Sequence, residues 1–319
     1  MTPPPHGGRL LMQKLQTDSL ASPLASADAF TTGQRIRGYW DMMRPSVVAL
    51  VFFTAVPMLA MRTGGTWPPL GQSIALLLGI AAIASASSVF NAYIEREIDK
   101  RMVRTRTRPL PTGLIQPHHA LIFGWTLTAV GLGTLLATGH WLGAVVGALT
   151  IAFYVYVYTI WLKPRTPLNI VIGGAAGAAP PLIVDAALNG TVGLLSVSLF
   201  ALVFLWTPPH FWAISLFRKG EYGRAGFPML PLTHGDEFTR RRIVLYAMSM
   251  LPVALVPAAT GHLSLGYAAV AMAVCGWFVW VCVDLMRRKT NKAARKAMLA
   301  SLVQLHLLFT AMTVDLLIR

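Results

Sequence analysis

Apolar runs of membrane-spanning length recur nine times along this chain, around 46–62, 73–93, 120–138, 142–161, 168–187, 194–216, 243–260, 266–286 and 298–318. Each approaches the roughly 20 residues that a helix needs to cross a hydrocarbon core. Inside lipid every backbone amide and carbonyl must be satisfied by the segment's own neighbours, so these runs predict helices. Charged residues make up only 12% of the chain, well below the ~25% of a soluble domain. The fold class expected is all-α, a polytopic membrane bundle of about nine transmembrane helices. The first run is short, and the fifth is rich in Gly and Pro.

A net charge of +15 invites a nucleic-acid reading, and its placement rejects it. With loops assigned alternately to two sides, 25 of the 27 Lys and Arg fall on one side, leaving only Arg62 and Arg319 opposite. The positive-inside rule then puts the N-terminus in the cytoplasm and, with nine spans, the C-terminus outside. Residues 1–34 carry Pro3-Pro4-Pro5, scattered Ser and Thr, and no apolar run of signal-peptide length. They are expected to form a disordered cytoplasmic tail ahead of a transmembrane domain at 35–319. Arg35 to Arg44 is a short amphipathic lead-in with Tyr39 and Trp40 as interfacial anchors. Cys275 and Cys282, seven apart in one apolar run, are core residues and not a metal or redox pair.

Polar chemistry gathers in three stretches, 91–108, 154–169 and 206–242, all at the cytoplasmic ends of their helices. The second run closes on Asn91, Glu95 and Asp99, spaced i, i+4 and i+8. That spacing lines them on one stripe, each about 6 Å above the last. Pro109 and Pro111-Thr-Gly113 are expected to end that helix and turn the chain. The plainer reading is a solvated helix end, but acids near a helix C-terminus oppose the macrodipole. Ionisable groups at a membrane edge are more often functional, and oxygen ligands suit Mg2+. Arg104, Arg106 and Arg108 follow at once. Topology charge would explain them alone; beside the acids they suit a phosphate, which guanidinium binds in a bidentate way. The conjunction suggests a metal-bridged diphosphate whose apolar tail lies in lipid.

The fourth run ends in Tyr154, Tyr156 and Tyr158 before Lys163 and Arg165, and the fifth opens at Asn169. Lys163 and Arg165 read either as a topology pair or as ligands of a leaving diphosphate. Gly173-Gly174, Gly177 and Pro180-Pro181 would let helices approach closely or let backbone line a cavity. Asp185, within the fifth run, is costly in lipid and needs a cavity or a partner. His210, in Trp206-Thr-Pro-Pro-His210-Phe-Trp212, reads either as a satisfied interfacial histidine or as a contact to a substrate carboxylate or haem iron. Glu221 is a metal ligand only if its loop faces the first acidic loop. His306, Asp284 and Asp315 are structural or interfacial. Acidic-basic loops after the second and sixth runs suggest a weak duplication of a helix-pair unit.

These strings resemble the UbiA-type intramembrane prenyltransferases, over roughly 35–318. The family's first aspartate-rich motif, Asn-x3-Asp-x3-Asp, is matched by Asn91, Glu95 and Asp99. A branch with haem as acceptor continues as Met102, Arg104, Thr105, Arg108 and Pro109. It adds Tyr158-Thr159, Leu162-Lys163, Asn169-Ile170, Ile172-Gly173-Gly174 and Pro180-Pro181, then Pro209-His210-Phe211-Trp212 and Ala225-Gly226-Phe227-Pro228-Met229-Leu230-Pro231. The chain departs from the pattern at Glu95 (Asp is commoner), at Gly220-Glu221 (Lys, then Asp) and at Val184-Asp185 (Gly-Trp).

The resemblance implies nine helices around a central cavity, open laterally to lipid in the bacterial cytoplasmic membrane, with a cytoplasmic cap. It implies Mg2+ held by Asn91, Glu95, Asp99 and Glu221 against farnesyl diphosphate. Arg104, Arg108, Lys163 and Arg165 would neutralise the leaving group, with Tyr158 or Trp212 facing the allylic cation and Asn169 and His210 contacting substrate. Haem B is then the acceptor, a substrate and not a cofactor. Haem A synthase or terminal-oxidase assembly factors are the protein partners implied. The rivals are a quinone-precursor acceptor on the same architecture and a non-enzymatic haem transporter or assembly protein. Transporters place their polar site near the midplane, whereas these acids sit at one face.

Overall fold

The computed structural model describes residues 30–61 and 67–318. Most of the expected tail, and Arg62 and Arg319, lie outside them. The last residues of that tail are already helical: α1 runs Thr32–Met43, with Thr31 and Gln34 closing a reciprocal N-terminal capping box. Arg44 ends it in the left-handed region, φ 55°, and Pro45 opens α2, Pro45–Met61. The two helices meet at a bend of 44°. Proline suits a first helical turn because its missing N–H would be unpaired there anyway.

The remaining spans follow the apolar runs: α3 Leu70–Asp99, α4 Pro117–Thr138, and α5 Trp141–Ala152, which continues as a π-helix over Phe153–Leu162. The fifth span is two helices, α6 Asn169–Ala178 and α7 Pro180–Asn189, because Pro180 and Pro181 bring no amide hydrogen to carry the ladder across Ala179. Next come α8 Leu194–Phe217, the short α9 Lys219–Arg224 and α10 Leu230–Thr233, then α11 Gly235–Ala259, α12 Leu265–Arg288 and α13 Asn291–Ile318. Counting α1 with α2 as one broken span gives up to nine spans among the described residues. The duplicated loops differ in form: 100–116 is a series of turns, whereas 218–234 carries α9 and α10.

α3 is the central post, buried over most of its length against α2, α4, α5 and α7. Its approach to α4 depends on missing side chains. A methyl at Gly131 would stand 3.0 Å from the Gly79 carbonyl oxygen, and one at Gly124 would stand 2.8 Å from the Phe90 ring. The opposite faces of α4 and α5 present Ile122, Trp125, Leu136, Trp141 and Leu149 outward. Such a belt would be an aggregation surface in water and is a lipid face here.

At the end away from the cations, two buried acids act as staples. Asp185 accepts hydrogen bonds from Asn189 Nδ2 (2.9 Å), the Gly193 amide (2.9 Å) and Ser196 Oγ (2.6 Å). Its role is therefore structural: it pins the α7–α8 turn. Asp315 likewise takes the Ser264 amide and hydroxyl, fastening the start of α12 to α13.

Candidate active site

The stripe forms as its spacing requires: Asn91, Glu95 and Asp99 are all buried on one face at the end of α3. The helix stops at Asp99, ten residues before Pro109. Here Thr105 Oγ1 donates to the Asp99 carbonyl (3.0 Å) and the 100–116 turns fold back under the helix end. Prolines thus shape the exit of the loop, while side-chain capping sets its start.

Each member of the stripe is met by a cation from a different segment. Arg44, at the α1–α2 bend, donates to Asn91 Oδ1 at 2.9 Å, and Asn91 Nδ2 reaches Thr159 Oγ1 at 3.3 Å. Lys163 forms an ion pair with Glu95. Arg108 Nη1 stands 2.7 Å from Asp99 Oδ2. Burial holds the Arg108 guanidinium below the usual arginine value and Arg44 pushes it further down, while Asp99 opposes both. It remains protonated at neutral pH all the same. Arg104 and Arg106 point outward from the same turns.

The π-helix explains how Lys163 arrives. Adding a residue to the turn pairs the Lys163 amide with the Tyr158 carbonyl (2.9 Å) and Thr159 Oγ1 with the Tyr154 carbonyl (2.8 Å). Thr159 and Lys163 are thereby brought to Asn91 and Glu95. Wide turns of this sort are frequent at functional sites. Tyr154 and Tyr158 lie 5.1 Å apart, ring to ring, and Lys163 Nζ sits 5.6 Å from the Tyr158 ring and 5.4 Å from that of Phe227. The Tyr158 ring occupies the space that a side chain at Gly173 would need. Phe227 belongs to the 225–229 turn, so the connection after α8 reaches the Lys163 ammonium. Asn169 donates to the Thr166 carbonyl (2.6 Å), and its Oδ1 is buried with no donor.

Below the stripe, one turn down α3, Ser87 and Ser88 open onto a slot of about 60 Å³ walled by Val51, Ile83, Tyr154 and Ile183. A polar mouth above an apolar slot is the layout that a charged head and a hydrocarbon tail require.

Other expected residues sit elsewhere. Glu221 lies on α9 beside Arg218 (3.9 Å), and among the described residues no three Asp, Glu, His or Cys side chains gather as a metal cluster. Its six-residue helix turns the carboxylate toward its own preceding turn. Arg165 donates to the Ile160 and Trp161 carbonyls (2.9 and 3.0 Å), closing the end of the π-helix. Trp212 is in the core, its ring edge-on to Tyr246 at 5.3 Å, with Nε1 unpaired. His210 is buried, stacked on Trp206 (4.6 Å), with Nδ1 2.7 Å from Ser301 Oγ. Sequence reasoning passed over Arg44, Phe227 and Ser301. Arg44 looked like topology charge, and the other two act only through the tertiary fold.

The donor set is an amide oxygen and two carboxylates, all hard, now neutralised by nitrogen cations, with an unused Asn169 oxygen beside Lys163. With a diphosphate present to draw off the cations, Asn91, Glu95 and Asp99 would offer the oxygen ligands that suit a divalent metal. Helices around an apolar slot, capped by such a mouth, are the architecture of intramembrane prenyl transfer. A sequence model described as the UbiA prenyltransferase family matches residues 50–308, and the chain belongs to that family. Among its relatives, the protoheme IX farnesyltransferase of Parvibaculum lavamentivorans is 40% identical over 283 residues, 88% of each chain. Protoheme IX farnesyltransferase 2 of Mesorhizobium japonicum is 44% identical over 282 residues, 87% of this chain and 89% of its own. In fold, the chain is similar to a digeranylgeranylglyceryl phosphate synthase (TM-score 0.75, 16% identity, 89% of this chain and 99% of that one). It is also similar to a UbiA homolog from Archaeoglobus fulgidus bound to GPP and Mg2+ (TM-score 0.62, 17% identity, 86% and 99%).

Proposed function

We propose that this protein transfers the farnesyl group of farnesyl diphosphate to a vinyl group of haem B, with addition of water, giving haem O and diphosphate for haem-copper oxidase biogenesis. One observation carries the diphosphate chemistry: Glu95 and Asp99 are buried and separately paired with Lys163 and Arg108, at the mouth of an apolar slot. The acceptor rests on the long, roughly 40% identical relatives named for protoheme IX.

In this reading Asn91, Glu95 and Asp99 would hold Mg2+, with Glu221 proposed as a further donor. When bound, the metal supplies positive charge to the diphosphate oxygens. Lys163 and Arg108 neutralise the charge that builds on the leaving oxygen as the C–O bond breaks with its electron pair; Arg104 and Arg165 add long-range positive potential. The Tyr158 ring faces the allylic cation. A vinyl carbon of haem then bonds to the farnesyl C1. Water captures the cation so formed beside the pyrrole and loses a proton, leaving a hydroxyethylfarnesyl group. Until then the apolar slot keeps water from turning the farnesyl cation into farnesol. Asn169 orders Lys163 through the backbone of its turn, His210 packs against α13 through Ser301, and Trp212 packs against α11. The setting is the bacterial cytoplasmic membrane, with the N-terminus inside and the C-terminus outside. The Lys289–Glu237 pair (3.0 Å) supports this, since it ties two basic segments to one end of the bundle.

The test is product mass. Purified protein with farnesyl diphosphate, haem B and Mg2+ should yield haem O, and chelation or Asp99→Ala should stop it. In a parallel incubation with 4-hydroxybenzoate in place of haem B, a prenylated product there and no haem O in the first would reassign the acceptor, and turnover undiminished by chelator would remove the metal.

A further inference from the structure

The slot under the acidic stripe has a direction and an end. Its wall on α3 runs from Ser88 through Ala84 to Ile80, eight residues and about 12 Å away from the stripe. The other helices line it in the same order, each entering from the stripe end at Arg44, Lys163 or Asn169. On α2 Val47 precedes Val51 on the way down, and Gly177 of α6 precedes Ile183 of α7. Burial follows that descent. At the upper end Val47 is 45% exposed, and a methyl added at Gly177 would meet nothing within 4 Å. At the lower end Ile80 and Ile183 are each 1% exposed.

Beyond Ile80 the bundle is solid. One turn further along α2, α3 and α7, Ala55, Leu76 and Ala187 are buried in the core. α5 closes against them without a gap. A methyl at Gly147 would stand 2.6 Å from Ile83 Cδ1, and one at Gly143 would stand 2.6 Å from Ala187 Cβ. The slot is therefore a blind track, and the property of a chain that it can discriminate is length.

The dimensions single out one length. With C–C bonds of about 1.5 Å in zigzag, the main chain of a farnesyl group extends about 14 Å, and each isoprene unit accounts for about 5 Å of it. A diphosphate at Glu95 and Asp99 leaves C1 near Asn91. From Asn91 to Ile80 is eleven residues, about 16 Å, and the small remainder is taken up by the radius of the terminal methyl groups. A geranyl chain would stop about level with Ala84. A geranylgeranyl chain would overrun Ile80 into the packing around Leu76.

We propose that Ile80, flanked by Ile183, is the stop that selects a three-isoprene donor, and that the small side chain of Ala84 keeps the track open down to it. The inference rests on the slot receiving the prenyl tail, and goes beyond that reading by assigning the residues that measure it. It does not depend on the acceptor.

The experiment titrates full-length protein in nanodiscs, with Mg2+, using the thiolodiphosphates of geraniol, farnesol and geranylgeraniol, whose C–S bond resists ionisation. Calorimetry gives the affinities without an acceptor, and product masses with the three ordinary diphosphates and haem B give kcat/KM. The wild type should favour farnesyl over either neighbour by about tenfold or more, the discrimination that a fitted apolar pocket achieves. Ile80→Ala should shift the geranylgeranyl-to-farnesyl ratio upward by at least about tenfold. Ala84→Leu, which raises the floor by one turn, should shift the preference toward geranyl by a similar factor. Ile80→Ala leaves a cavity when the slot is empty; if it does not fold, Ala84→Leu decides alone. An unchanged length preference in either folded variant would overturn the assignment, as would a wild type that takes geranylgeranyl as well as farnesyl. A farnesyl-selective protein that makes no haem O would lose its acceptor assignment and keep this stop, whereas haem O formation with no length preference would sink only this inference.

Discussion

Replacing Lys163 with Met strands a carboxylate. The Lys163 and Glu95 side chains are only 17% and 8% exposed, so the pair is a buried one. Removing one partner of such a pair costs about 3–5 kcal/mol, because the remaining charge has lost both water and counter-ion. Lys163 also lies against the rings of Tyr158 and Phe227, contacts that contribute about 0.5–1 kcal/mol each. Lys163→Met should therefore lower unfolding stability by about 4 kcal/mol. Glu95→Gln combined with Lys163→Met should recover all but about 1 kcal/mol, since well-packed neutral groups replace a buried pair at little cost. Thermal unfolding in detergent, followed by intrinsic fluorescence without Mg2+, measures the series. Lys100→Met supplies the reference, as Lys100 and Glu97 are half or more exposed. Adding Mg2+ with farnesyl diphosphate should return much of the stability of Lys163→Met, the bound cation taking over Glu95. If Lys163→Met melts where Lys100→Met does, or if the double variant is less stable than the single, the mouth is solvated and the reasoning fails.

Gly173→Val should abolish turnover and lower the melting temperature, since its side chain must displace Tyr158; a variant with wild-type kinetics would show the ring to be mobile. Asp185→Ala, which leaves the Gly193 amide and Ser196 and Asn189 side chains without their acceptor, should cost about 3 kcal/mol and leave KM for farnesyl diphosphate unchanged, as measured by melting and steady-state rates. Arg104→Ala should raise KM for farnesyl diphosphate at unchanged melting temperature; a fall in membrane abundance with kinetics intact would make Arg104 a topology residue only.

Much of the architecture was legible because lipid permits so few answers. Among the described residues the nine apolar runs fall on eight spans and the bent α1–α2 pair, to within a few residues at most ends, and the acid stripe needed only helical spacing. What was not legible depended on meetings between distant segments. Nothing local to Arg44 marks it as the partner of Asn91, 47 residues on, and nothing in the tyrosine run announces a π-helix until Gly173 has made room for Tyr158. Arg165 shows the converse. Adjacent in sequence to Lys163 and chemically apt, it is turned aside by carbonyls that a π-helix leaves open. Trp212 and Glu221 sit apart from the acid stripe for a related reason: a motif fixes which residues occur together, and helix phase decides which neighbour each one meets, Tyr246 for Trp212 and Arg218 for Glu221. Asp185, costly in lipid when read alone, is ordinary once three donors surround it.

Arg44 occupies a left-handed backbone position that most residues avoid, at the joint between α1 and α2. From that joint its guanidinium holds Asn91. The candidate site is thus tied by one side chain to the bend between α1 and α2. A change in the angle of that bend would move the guanidinium that fixes the first oxygen of the acidic row.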